Sequence, residues 1–128
     1  MGQPAVVMGD RITGLCAIHQ IPGPSGNPQP SPAPLPFSAP VSKGLSTSVL
    51  IGGKPAAVVG SSGLNQPPHV GLHGTDPFFL PLLQEGRVTG GSATVSFDGK
   101  PAARTGSTCT CCQEPGQLTG SGVTVLIQ

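Results

Sequence analysis

One phrase recurs three times along the chain and restricts its fold more than any other feature: Gln3-Pro4-Ala5-Val6-Val7-Met8-Gly9-Asp10, Lys54-Pro55-Ala56-Ala57-Val58-Val59-Gly60-Ser61 and Lys100-Pro101-Ala102-Ala103-Arg104-Thr105-Gly106-Ser107. The prolines stand 51 and 46 residues apart, a spacing at which self-similarity signals units that bury their faces on one another. Ahead of the second and third copies runs a short alternating segment, Ser46 to Ile51 and Ser92 to Phe97. Each ends in a turn, Gly52-Gly53 or Asp98-Gly99, of the kind that joins hairpin strands. Alternation puts Val49 and Ile51 on one face, with Val95 and Phe97 at the same distances before the following proline. The units are therefore β.

The run Val123-Thr124-Val125-Leu126-Ile127 is a third such strand, without its turn and Pro-Ala phrase. Joining Gln128 to Met1 would restore both, so the repeat closes on itself as three units with adjacent termini. Three near-equivalent β units in a ring imply a pseudo-threefold object whose alanines pack where three backbones converge. The expected fold is an all-β, pseudo-threefold assembly of hairpins, a single domain over residues 1–128.

Composition supports this and narrows function. Glycine (20) and proline (16) make 36 of 128 residues, yet the near-zero charge and 36% apolar content are unlike a disordered chain. Aromatics are only 3%, with no Trp or Tyr, so something beyond bulk burial must help hold the fold. A formal charge of +1 gives no electrostatic reason to expect nucleic acid or an anionic membrane as partner. The opening Met1-Gly2-Gln3-Pro4 lacks a basic stretch followed by a long apolar run, and no segment approaches a bilayer span. The expectation is synthesis in the cytoplasm without a signal peptide, where cysteines favour metal over a disulfide framework.

Two long connections separate the units. Residues 21–40 carry proline at nearly every second place, and should form an extended, semi-rigid loop laid against the domain and anchored by Leu35 and Phe37. The second, residues 61–90, carries Phe78-Phe79-Leu80-Pro81-Leu82-Leu83, whose default reading is buried side packing.

Histidine occurs only at 19, 69 and 73, and cysteine only at 16, 109, 111 and 112; all follow a Pro-Ala phrase. In a closed ring those three segments share one end, so distant ligands converge there. Imidazole and thiolate are the donors that zinc favours. His19, His69, His73 and Cys111 are the expected ligands of one structural zinc, with iron the weaker alternative. Adjacent strand residues point apart, which argues for one thiol from the Cys109–Cys112 group. The spacing leaves open whether Cys109, Cys112 or Cys16 replaces an assigned ligand. Catalytic constellations are missing: five acidic residues form no obvious acid-base pair, and no nucleophile elbow, phosphate loop or His-Glu-x-x-His helix occurs. No enzymatic activity is expected.

Pro101-Ala102-Ala103-Arg104 spells the motif of the PAAR-repeat family, and the phrases at Pro55 and Pro4 resemble degenerate copies of it. The resemblance implies a cone-shaped tip of β-hairpins that caps and sharpens the homotrimeric spike of type VI secretion systems or related phage-tail-like injection particles, one tip per trimer. It implies zinc bound near the point by three histidines and one cysteine, transient contact with a target membrane, a role in effector delivery and effector cargo as a further partner. Assembly into a particle that is secreted or delivered to a target cell follows from the same resemblance. The competing readings are a small zinc-dependent hydrolase toxin, and an adaptor that loads cargo through the Pro-rich loop.

Overall fold

A computed structural model describes residues 2–128. It is built from short antiparallel sheets, and among the described residues the only helical segments are two 3-10 turns, Pro24–Gly26 and Pro81–Leu83. None is long and apolar enough to cross a membrane.

The threefold relationship is carried by the backbone. Leu50–Ile51 pairs with Lys54–Pro55, and Ser96–Phe97 pairs with Lys100–Pro101 in the same register. The third hairpin joins the two ends of the chain, because Ile127 faces Gln3 and Leu126 faces Pro4. Met1, expected in that closing turn, lies outside the described residues. Both internal turns need positive φ at two successive positions, which Gly52-Gly53 supplies without strain and Asp98-Gly99 with one non-glycine residue at φ 54°.

Around the axis the Pro-Ala phrases bond to one another in a ring. The Val6 N–H donates to the Ala103 carbonyl (3.1 Å), Ala103 to Ala57 (3.0 Å), and Ala57 to Val6 (2.8 Å). A second ring repeats the pattern, from Met8 to Pro55, Val59 to Pro101 and Thr105 to Pro4, each at 2.9 Å. Three backbones can approach this closely only where side chains are small. Ala5, Ala56, Ala57, Ala102 and Ala103 are all fully buried there. Backbone groups that would otherwise be orphaned in the interior are thereby paired.

Two apolar clusters lie along the molecule. One gathers Ala5, Val7, Ile51, Ala56, Ala102 and Ile127, with Val49, Val95, Phe97 and Val125 packed against it, so the strand alternation expected from the sequence is realised. The other contains Val6, Ile12, Phe37, Val41, Phe78, Val88 and all four cysteines. It is enclosed by the sheets that follow the phrases. Arg11–Cys16 lies between Gln117–Leu118 and Leu35–Pro40, while Glu85–Val88 lies between Ser62–Leu64 and Cys109–Cys111.

The connections are more ordered than their composition suggests. Within 21–40, Gln20–Pro22 and Pro28–Pro30 form a small hairpin, and Leu35–Pro40 is a strand in full register with Arg11–Cys16. Pro36 and Pro40 alternate with Phe37 and Ala39, which are buried. Ser38, between the prolines, turns its N–H away from Arg11–Cys16 to the Asn65 side chain, 3.0 Å away. The missing proline donors thus fall on the outward side of an edge strand, where the ladder does not need them. Segment 61–90 likewise contributes two strands, Ser62–Leu64 and Glu85–Val88. Its apolar run departs from the expected burial: Phe78 is buried, but Phe79, Leu80, Leu82 and Leu83 are exposed. Pro77 and Pro81 bend the run: a turn closed by the Phe79 N–H on the Asp76 carbonyl (3.0 Å) leaves Phe78 in the interior, and the following residues, including the 3-10 turn Pro81–Leu83, lie at the surface.

Candidate metal centre

The three segments that follow the Pro-Ala phrases meet at one buried point. Cys16 ends the strand Arg11–Cys16, and His19 follows it by three residues. His69 comes from the second connection, and Cys112 from the turn between Cys109–Cys111 and Glu114–Pro115. One donor atom from each of these four side chains lies within 4.8 Å of the others, and all four residues are buried. Bonds of about 2.0 Å to nitrogen and 2.3 Å to sulfur make tetrahedron edges of about 3.3–3.8 Å. The group needs only modest contraction to hold an ion.

The hydrogen bonding fits a metal at this point. Nδ1 of His19 is 3.1 Å from the Asp76 carboxylate, which also accepts the Gln20 N–H and the Phe78 N–H, each at 2.7 Å. With Nδ1 donating to Asp76, His19 carries its lone pair on Nε2, directed away from the carboxylate. That Nε2 and the Nε2 of His69 are buried and have no hydrogen-bond partner among the described residues. A buried polar atom left unpaired costs about 1–3 kcal/mol, and here two such atoms belong to the same four-residue group. Divalent metal would satisfy both.

Ionisation fits as well. Burial pushes Asp76 upward, but the hydrogen bonds from Gln20, Phe78 and His19 outweigh it and hold the carboxyl below its ordinary value. Burial, then the neighbouring His19, lowers His69 and favours the neutral ring, the form that ligates. A hydrogen bond with Cys112, then burial, raises Cys16 well above an ordinary thiol. Two thiolates in this interior would be uncompensated alone. With two neutral imidazoles and a divalent cation the group sums to zero charge.

Of the residues singled out from the sequence, His19 and His69 stand in this group, and Cys111 and His73 stand outside it. Both ring nitrogens of His73 are engaged: Nδ1 lies 3.1 Å from the Thr75 N–H, and Nε2 lies 2.9 Å from the Gly26 carbonyl. The ring thereby links the two connections. Cys111 is buried on the strand beside Gly14, where any Cβ would lie 2.6 Å from its sulfur. Burial and the nearby Cys16 push its thiol up to about 12, and burial pushes Cys109 to about 11. Cys112 enters the group because it has left the strand. Its φ of 48° and that of Gln113, 66°, form a left-handed turn to which strand alternation no longer applies. Cys16 and Cys112 were among the alternatives that the spacing left open. Asp76 had no sequence signal beyond its place three residues after His73.

Residues 84–128 match the family described as PAAR motif. The chain carries a PAAR motif. The matched stretch holds the third phrase, the Cys109–Cys112 cluster and the final strand, and the other two copies are bound to it by the hydrogen-bond rings around the axis. No curated protein matches the chain.

Proposed function

We propose that this PAAR-motif chain is the tip of a contractile injection machine: it caps and sharpens a trimeric spike, and is stiffened by one structural zinc held by Cys16, His19, His69 and Cys112. The observation that carries the reading is the ring of three equivalent hairpins, Leu50–Pro55, Ser96–Pro101 and the one joining the chain ends. One chain presents nearly the same backbone three times, which matches the end of a true threefold partner. Exposed Leu50 and Leu126 occupy corresponding places in two of the hairpins and offer apolar contact there.

The zinc reading rests on donor chemistry. Two sulfurs and two imidazole nitrogens are a structural zinc set, and four protein donors leave no coordination position for a reactive water. The metal would join the ends of three chain segments, so that the end away from the hairpins resists fraying. This role needs stiffness rather than turnover, and the chain is read as non-enzymatic, delivered with the particle and carrying effectors into the target.

The experiment is a mass measurement of the complex with the spike protein, together with elemental analysis of the isolated chain. One cap per three spike chains, and one zinc per cap, is the expected result. Three caps per three spike chains would overturn the capping model. A chain purified without chelator that holds no metal would overturn the zinc site.

A further inference from the structure

Gln84 is fully buried, and its side chain has every hydrogen-bonding valence engaged. Its Oε1 accepts the His69 N–H at 2.7 Å and the Asn65 side-chain amide at 3.2 Å. Its Nε2 donates to the His69 carbonyl at 3.2 Å and to the Phe78 carbonyl at 3.0 Å. A single carboxamide thus holds His69 by both its main-chain donor and its main-chain acceptor. The Gln84 main-chain carbonyl takes the Asn65 N–H at 2.9 Å, which closes the clamp from behind. Segment 65–70 contains Pro67 and Pro68, and His69 belongs to neither a strand nor a helix. No regular ladder fixes its backbone.

From this geometry we infer that Gln84 is a positioning residue of the metal centre: it fixes the His69 backbone so that the unpartnered Nε2 faces Cys16, His19 and Cys112. The inference rests on reading those four residues as a ligand set. His19 is oriented through its ring by Asp76, whereas the His69 Nε2 has no hydrogen-bond partner among the described residues and His69 is held through its main chain. The Phe78 carbonyl on Gln84 and the Phe78 N–H on Asp76 tie both supports to one residue. The Phe78 ring also stands edge-on to His19, with centroids 5.7 Å apart. The two histidines therefore share one outer frame although they are 50 residues apart in sequence.

The test is a double-mutant cycle read by Co²⁺ affinity, measured by competition with a chromophoric chelator and by the thiolate-to-cobalt absorption band. Gln84→Met, close in shape but without the amide, should weaken Co²⁺ binding by about 10- to 100-fold in the otherwise native chain. In a His69→Ala background it should change affinity less than about twofold, because the residue it positions is gone. Equal costs in the two backgrounds would show that Gln84 supports the fold alone, and would overturn the assignment. Should Gln84→Met fail to fold, Gln84→Glu runs the same cycle, since it keeps an acceptor for the His69 N–H and loses both donors. A native chain that binds no Co²⁺ overturns the metal site and this inference together. A native chain that binds, with equal costs in the cycle, overturns the inference alone.

Discussion

His19 and Asp76 meet across 3.1 Å with both side chains removed from solvent, and that contact decides which imidazole nitrogen is free for a metal. A carboxylate behind a ligating histidine fixes the tautomer and raises the basicity of the other nitrogen. Asp76→Asn should weaken metal affinity by about 10- to 100-fold, read by chelator competition. Unchanged affinity would mean that the contact is only a packing arrangement.

The two neighbouring thiols separate cleanly by substitution. Cys112→Ser should lose tightly held metal, whereas Cys111→Ser should retain one ion per chain, because Cys112, and not Cys111, stands in one group with Cys16, His19 and His69. Elemental analysis of the two purified variants reads the difference. The reverse outcome would restore Cys111 as the ligand.

Affinity should also depend on pH in a fixed direction. The Cys16 thiol is raised above its ordinary value and carries its proton at neutral pH, so binding must release that proton. Each unit by which pH falls should therefore weaken binding at least about tenfold. Titrations at pH 6, 7 and 8 that gave equal affinities would contradict a thiolate ligand.

Close backbone packing offers a test of the sheets independent of any metal. A Cβ on Gly63 would lie 1.8 Å from the Pro40 carbonyl, while one on Gly74 meets nothing within 4 Å. Gly63→Ala should cost at least about 1–3 kcal/mol in denaturant unfolding, and Gly74→Ala should stay within about 0.5 kcal/mol. Equal midpoints for the two variants would mean that segments 35–40 and 62–64 do not pack as described.

The closed ring was legible in the sequence because its signals are local and repeat: alternating Val49 and Ile51, a glycine turn, then Pro55-Ala56. The meeting of three segments at one buried point follows from that ring, and so do His19 and His69. The choice of thiol did not follow, because strand alternation stops at Cys111 and the left-handed Cys112 obeys a turn's geometry instead. The exposure of Phe79 to Leu83 was hidden for a similar reason, since composition records how apolar a run is and not which way two prolines bend it. Gln84 and Asp76 escaped because a clamp on another segment's backbone leaves no spacing pattern.

The docking end yields the last test. Lys54 and Lys100 occupy matching places in their hairpins, opposite Ile51 and Phe97, and Gln3 stands in the third place opposite Ile127. If the hairpin ring seats on the spike, both lysines lie at equivalent rim positions, where charge alters encounter and orientation more than folding. They belong to the hairpins that pack on the alanine-rich cluster, and the ligand group is enclosed by the other cluster. Substitutions at the two ends should therefore act independently. The double reversal Lys54→Glu and Lys100→Glu should weaken spike binding, with the loss larger at low salt, and leave metal content and thermal stability close to native. Metal content is the control that separates lost docking from lost folding. A double variant that binds the spike as tightly as the native chain at low ionic strength would exclude this rim from the interface.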